Sequence, residues 1–318
     1  MTEPTGTLTF RSLRRSDYPN YRPVVLLGLG KLERSTGLDR SSEVMVAMLS
    51  RRSTWFVLGL FRLFGRPLLR VFVALDGERV VGTGMLLWTR NTGYVAGMST
   101  VPEYRGRGIA SRILALGQAE AMRRRRDWLV LDVESENETA RRVYRKAGYR
   151  DGAISTWFVR TGVPPTSGPV PAGTRPATDS EVEAVAPALE EGRAAEYRAA
   201  FPLTAHLLTH LQMLLSGRRV EHRTWVFRGA SGSPVAVRAY YDPDTGVGTY
   251  LVVTGRSDPT AEEVSTALGA ATDWLRARGA AKCVAVVSEP AGAAGTALER
   301  LGFDPAVSTT VMIRRTSE

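Results

Sequence analysis

Met98-Ser99-Thr100-Val101-Pro102-Glu103-Tyr104-Arg105-Gly106-Arg107-Gly108-Ile109-Ala110 decides the fold of this 318-residue chain. An apolar strand-like run from Gly93 to Val101 breaks at Pro102, which has no N–H to give a sheet ladder. A short basic loop with two glycines follows. Then Ile109, Ile113, Leu114, Leu116 and Ala119 recur at helical spacing, with Ser111 in the first turn. A strand, a glycine loop and a helix start in that order form a cradle for an anion. Loop N–H groups face outward, and the helix N-terminus adds about half a positive charge. Gly106 and Gly108 let a phosphate reach the backbone, and Arg105 and Arg107 add charge-assisted hydrogen bonds. The spacing fits neither a Walker loop nor a dinucleotide fingerprint.

A second stretch, Asn137-Glu138-Thr139-Ala140-Arg141-Arg142-Val143-Tyr144-Arg145-Lys146-Ala147-Gly148-Tyr149, follows after a helix and a strand. Arg-x-x-Gly-x-Ala after Pro-Glu resembles the pyrophosphate loop of the GCN5-related N-acetyltransferase (GNAT) family. Asn-x-x-Ala-x-x-aliphatic-Tyr-x-x-x-Gly-aromatic resembles that family's last helix. The resemblance implies a mixed α/β sheet with helices on both faces, acetyl-CoA as cosubstrate, and an amine as acceptor. It places backbone contacts to the cofactor at Met98, Thr100 and Val101. It places the phosphate cradle at Arg105, Gly106, Arg107, Gly108, Ala110 and Ser111, with Asn137 and Tyr144 also touching the cofactor. Tyr144 takes the family's role of general acid to the departing thiolate, since a phenol with a pKa near 10 is protonated at neutral pH. The base is less determined. Asp132 in Leu-Asp-Val stands where some members carry a glutamate and is preferred over Glu134, with a water chain or a neutral amine as alternatives.

The strands expected from pattern are 8–13, 69–75, 79–88, 93–101, 128–133 and a closing strand 154–160, with Asp76-Gly77 turning the first hairpin. Residues 18–54 read as one or two helices, and the aromatic run 55–64 continues them to Gly65 and Pro67. In the family this region walls the acceptor pocket. Its apolar content suits a core-facing or subunit-facing helix better than a lipid-facing lip.

A constant shift of 154 residues lays Met98-Ser99-Thr100 on Val252-Val253-Thr254, Val133 on Val287, and Gly148-Tyr149 on Gly302-Phe303. The second half therefore reads as a copy of the first. The copy lacks the chemistry: Arg105 to Gly108 fall on Pro259, Thr260, Ala261 and Glu262, Asn137 on Ala291, and Tyr144 on Leu298. Two tandem domains are expected: a catalytic one over 1–160, a Pro/Gly-rich linker over 161–174, and a degenerate one over 175–318.

Charge supports this division. Residues 1–160 hold 27 Lys+Arg against 15 Asp+Glu, and the remainder holds 15 against 17. The positive field lies where a polyanionic cofactor would bind. Arg123 to Arg126 read as a solvated helix end rather than a nucleic-acid patch, because only Trp128 is near for base stacking. One cysteine and three histidines leave no metal cluster and no disulfide framework, which suits a cytoplasmic protein. No segment is long and apolar enough to span a membrane. The expected partner is a small-molecule or protein amine, and a homodimer is an arrangement open to it.

Overall fold

The computed structural model describes residues 7–37, 43, 46–47, 49–63, 69–88, 91–165, 170, 174–191, 194–200, 220–229, 232–255, 259–288 and 292–318. The first half runs β1 (Thr9–Ser12), α1 (Tyr18–Leu26), α2 (Lys31–Thr36), α3 (Arg52–Leu63), β2 (Leu69–Asp76), β3 (Arg79–Trp88) and β4 (Thr92–Thr100). It continues with α4 (Ile109–Arg123), β5 (Trp128–Glu134), α5 (Glu138–Lys146) and β6 (Arg150–Thr161). The second half follows with α6 (Asp179–Glu190), α7 (Ala195–Ala200), β7 (Glu221–Arg228), β8 (Pro234–Asp242) and β9 (Val247–Thr254). It closes with α8 (Ala261–Arg276), β10 (Lys282–Ser288), α9 (Gly292–Arg300) and β11 (Asp304–Arg315). From β2 onward, each half repeats the order strand, strand, strand, helix, strand, helix, strand, as the shift of 154 requires.

All the strands join one mixed sheet, ordered β1-β2-β3-β4-β5-β11-β6-β10-β9-β8-β7. The two closing strands are exchanged. Arg150–Thr161 forms a strand as expected, but it pairs antiparallel with β10 over seven positions and not with β5. The place beside β5 is filled by β11, from the end of the chain, with Thr309↔Glu134 through Arg315↔Trp128 in register. β6 and β11 then pair with each other across the centre. The two strands occupy equivalent places in the repeat, so local pattern is satisfied by either arrangement.

The helix of the deciding stretch forms because Ile109, Ile113 and Leu114 bury one face, each being at most 3% exposed. Burial of that kind is worth about 1.5–3 kcal/mol per side chain. Ala119, expected on this face, lies outside it; the stripe runs instead through Gly117 and Ala121. Glu120 is also buried and collects Arg70, Arg123 and Arg124. Burial alone would raise its carboxyl, but hydrogen bonds from Arg123 and Arg124 bring it below the usual range. Arg124 also stacks on Trp88. Arg124 is thus drawn into the protein, while Arg123 and Arg125 stay exposed, as expected of a solvated helix end.

Part of the expected linker is packed. Gly162 N donates to Ala281 O (2.8 Å), Arg276 Nη2 donates to Pro164 O (2.7 Å), and Val163 and Val170 lie on the core of the second half. The end expected for the aromatic helix, Gly65 and Pro67, lies outside the described residues. Cys283 is fully buried, and burial pushes its thiol up to about 11, so it is inert.

Candidate active site

The site begins with an irregularity in β4. Thr83 pairs with Ser99 but Met85 pairs with Ala96, so Gly97 and Met98 together oppose Gly84. Gly97 sits at φ +58°, the left-handed region that glycine enters without steric cost. This bulge bends β4. Its consequence shows in the parallel partner: β4 and β5 pair from Thr92↔Trp128 only to Val95↔Leu131, and then part. A notch opens between Ala96–Thr100 on one side and Asp132–Glu134 on the other.

The notch leads into the cradle. Pro102–Tyr104 forms one 3-10 turn, and Tyr104 is pinned by donating to Asp76 Oδ2 (2.7 Å). Gly106 and Gly108 have φ of +77° and +74°, and a Cβ at either would enter open space. Gly108 is the N-cap of α4, and no side chain caps that end. Its first-turn N–H groups are left for an external acceptor. Arg105, Arg107 and Ser111 are exposed, Ala110 is half-buried, and no carboxylate pairs with Arg105 or Arg107 among the described residues. The cradle suits a pyrophosphate.

Not all of the expected backbone contacts are equally available. Val101 N donates to Val81 O (3.0 Å) and its carbonyl accepts from Tyr104 N (2.9 Å), so its hydrogen-bonding groups already have partners. Thr100 O accepts from Arg105 Nε (3.3 Å). Met98 lies half-buried against the core.

Asp132 is the first β5 residue past the last β4–β5 pair, at the apex of the notch. It is solvent-accessible, yet protein surrounds it, and that desolvation pushes its carboxyl up to about 6. Tyr94 OH donates to Asp132 Oδ2, which opposes the rise. The Tyr94 phenol is itself pushed well above 10, first by burial and then by the Asp132 charge. Tyr94 went unread in the sequence. It belongs to no quoted motif, although its place on β4 two residues before the notch would flag it were the bulge legible.

Glu134, two residues on, is committed elsewhere: its Oε1 accepts from Leu32 N (2.8 Å) at the start of α2. It caps a helix and fixes the α1–α2 turn against the end of β5, which leaves Asp132 as the carboxylate at the apex.

Tyr144 is buried in the core cluster of the first half, which also holds Leu129, Leu131 and Val133 of β5. Burial pushes its phenol up to about 12, so it stays protonated at any physiological pH. Among the described residues, no hydrogen bond engages its hydroxyl. Asn137 Oδ1 accepts from Ala140 N (3.1 Å) and caps α5.

The equivalent region of the second half is built shut. β9 pairs with β8 without a bulge and stays joined to β10 over six consecutive positions, Val247↔Lys282 to Val252↔Val287. The N-terminus of α8 carries its own anion: Thr260 N donates to Glu263 Oε2 (2.8 Å), and Glu263 N donates to Thr260 Oγ1 (3.2 Å). This capping box satisfies the donors that α4 leaves open.

Residues 42–149 match the family described as Acetyltransferase (GNAT) family. N-alpha-acetyltransferase 30 of Schizosaccharomyces pombe is 34% identical over 83 residues, covering 24% of this chain and 55% of that protein. The match thus spans about half the length of this relative. A tandem GNAT protein from the clavulanic acid biosynthesis pathway superposes with a TM-score of 0.55 at 18% identity, covering 98% of this chain and 99% of that one. A GCN5-related N-acetyltransferase from Sphaerobacter thermophilus gives 0.57 at 13% identity, covering 98% and 97%. These structural likenesses show that the whole chain has a tandem GNAT fold. Among the described residues, no group of three or more His, Cys, Asp or Glu is placed to hold a metal, and no helix is long and apolar enough to cross a membrane.

Proposed function

We propose, for a chain whose residues 42–149 match the GNAT acetyltransferase family, that it transfers an acetyl group from acetyl-CoA directly to an amine. The single observation that carries this reading is the bulge-opened notch leading into an uncapped, glycine-entered helix. The notch offers unpaired strand edges to the pantetheine arm, and the cradle offers N–H groups and arginines to the pyrophosphate.

Asp132 takes the proton from the incoming ammonium, with Tyr94 holding its carboxylate. The freed amine attacks the thioester carbonyl; the C–N bond forms, the C–S bond breaks, and Tyr144 gives its proton to the departing sulfur. The similarity to an N-alpha-acetyltransferase favours an α-amino group as acceptor. In this reading residues 1–160 are the catalytic domain, 161–174 the connection and 175–318 a domain that has lost cofactor binding.

Thiol release with acetyl-CoA and a panel of amines, peptides with free N-termini among them, tests this directly. Tyr144→Phe is expected to lower kcat about tenfold or more, with KM for acetyl-CoA within about twofold. Unchanged kcat would remove Tyr144 from the reaction.

A further inference from the structure

We infer that α7, a short helix of the second half, is a working part of the acetyl-transfer site, with Tyr197 as a positioning residue for the Tyr94–Asp132 pair. The inference rests on the acetyl-transfer reading and deepens it.

The placement of α7 carries the argument. It lies on the face of the sheet that presents Asp132, over the strands at the base of the notch. Tyr197 is only 3% exposed and packs with Trp128 and Val130 of β5 and with Val311 and Ile313 of β11. Tyr94 packs against the same cluster. Thr92, the first residue of β4, donates from Oγ1 to the Ala200 carbonyl (2.7 Å). From β6, Gly152 leaves room for the ring: a Cβ there would stand 3.2 Å from Tyr197 Cδ2. Arg150 pairs with Glu196 at 3.5 Å. A single turn and a half of helix therefore grips β4, β5, β11 and β6 where β4 and β5 are still paired, just below the point at which they part.

The consequence is positional. Tyr94 reaches Asp132 from β4, across the opening strands, so its direction depends on what packs beneath its ring. Tyr197 supplies that packing. Among the described residues, Glu33 of α2 also acts on Tyr94, and Glu134, two residues beyond Asp132 on β5, is held by Leu32 N. Two strands of the cluster, β6 and β11, are the exchanged pair. The second half thus backs the acceptor side of the site in the first, although its own notch is closed.

The test uses the full chain and two readouts. Asp132 is titrated by infrared difference spectra, wild type minus Asp132→Asn, which requires no acceptor. Turnover is then measured with acetyl-CoA and a peptide bearing a free N-terminus. Tyr197→Ala removes the packing beneath Tyr94 and loosens its hydrogen bond to Asp132, which holds that carboxyl down, so the Asp132 midpoint is expected to rise by about half a unit or more above wild type. kcat is expected to fall about tenfold while KM for acetyl-CoA stays within about twofold. Gly152→Ala, which nudges the ring without leaving a cavity, is expected to move both quantities in the same sense by less. Tyr197→Phe, which keeps the ring, is expected to restore most of kcat. A midpoint within about 0.2 units of wild type in folded Tyr197→Ala would overturn the inference. If wild type shows the titration but acetylates no amine, the acetyl-transfer reading fails instead, so the two failures are distinguishable.

Discussion

Replacing Asp132 by asparagine is expected to lower kcat by about 10²- to 10³-fold, the range for losing a general base, and at the same time to stabilise the fold at alkaline pH. The two effects have one cause. The amide keeps the shape and still accepts from Tyr94, but it cannot take a proton. Desolvation by the surrounding protein raises the native carboxyl from 3.8 to about 6, so the folded chain binds that proton more tightly than the unfolded chain does. Stability from this group is therefore fully present below pH 4 and is given up as pH rises through 6. Asparagine has no charge to bury and gives nothing up. At pH 8 its melting temperature should exceed that of wild type, and at pH 4 the two should converge. For the same reason, kcat/KM of the wild type should fall as pH drops below about 6, and Tyr94→Phe should move that limb upward by removing the bond that stabilises the carboxylate. Scanning calorimetry and a pH–rate profile check these outcomes. A variant less stable at pH 8 than wild type would mean that Asp132 is not a desolvated carboxylate.

Gly108→Asp is expected to weaken acetyl-CoA binding by about 100-fold, or about 2.7 kcal/mol. Gly108 sits at φ +74° with open space where a side chain would go. Aspartate tolerates that backbone at a cost of about 1–2 kcal/mol, so the chain should still fold. Its carboxylate would enter the cradle and bond a first-turn N–H, as the N-cap hydroxyl of Thr260 bonds Glu263 N in the second half. The converse substitution should not create a site. Glu263→Ala frees Thr260 N at the N-terminus of α8 at a cost of about 1 kcal/mol of stability, but β9 and β10 remain joined and leave no slot for a pantetheine arm.

Local signals wrote most of the fold into the sequence. The hairpin at Asp76-Gly77 is read from its turn, and Gly77 indeed takes a positive φ of 57°. β3 has the expected bounds, and α5 begins at its asparagine cap. The Pro-Glu-x-Arg-Gly-x-Gly stretch gives the cradle because glycine, proline and a helix start each constrain the backbone where they stand. What escaped were features set by partners distant in the chain. The exchange of β6 and β11 cannot be read locally, since both strands carry the same pattern and either satisfies the edge beside β5. The bulge at Gly97-Met98 follows from register against β3, not from composition. Without it neither the notch nor the position of Tyr94 could be seen. Glu134 and Asp132 likewise read as equivalents one strand period apart, and only the fold of α1 and α2 over the end of β5 separates a helix cap from a candidate base.

The central claim is that one half binds acetyl-CoA and the other does not. Isothermal titration of acetyl-CoA into the full chain tests it most directly, on wild type and on Gly108→Asp. One site per chain, lost or weakened about 100-fold in the variant, is the expected result. Two sites per chain, or one site that Gly108→Asp leaves intact, would contradict the account.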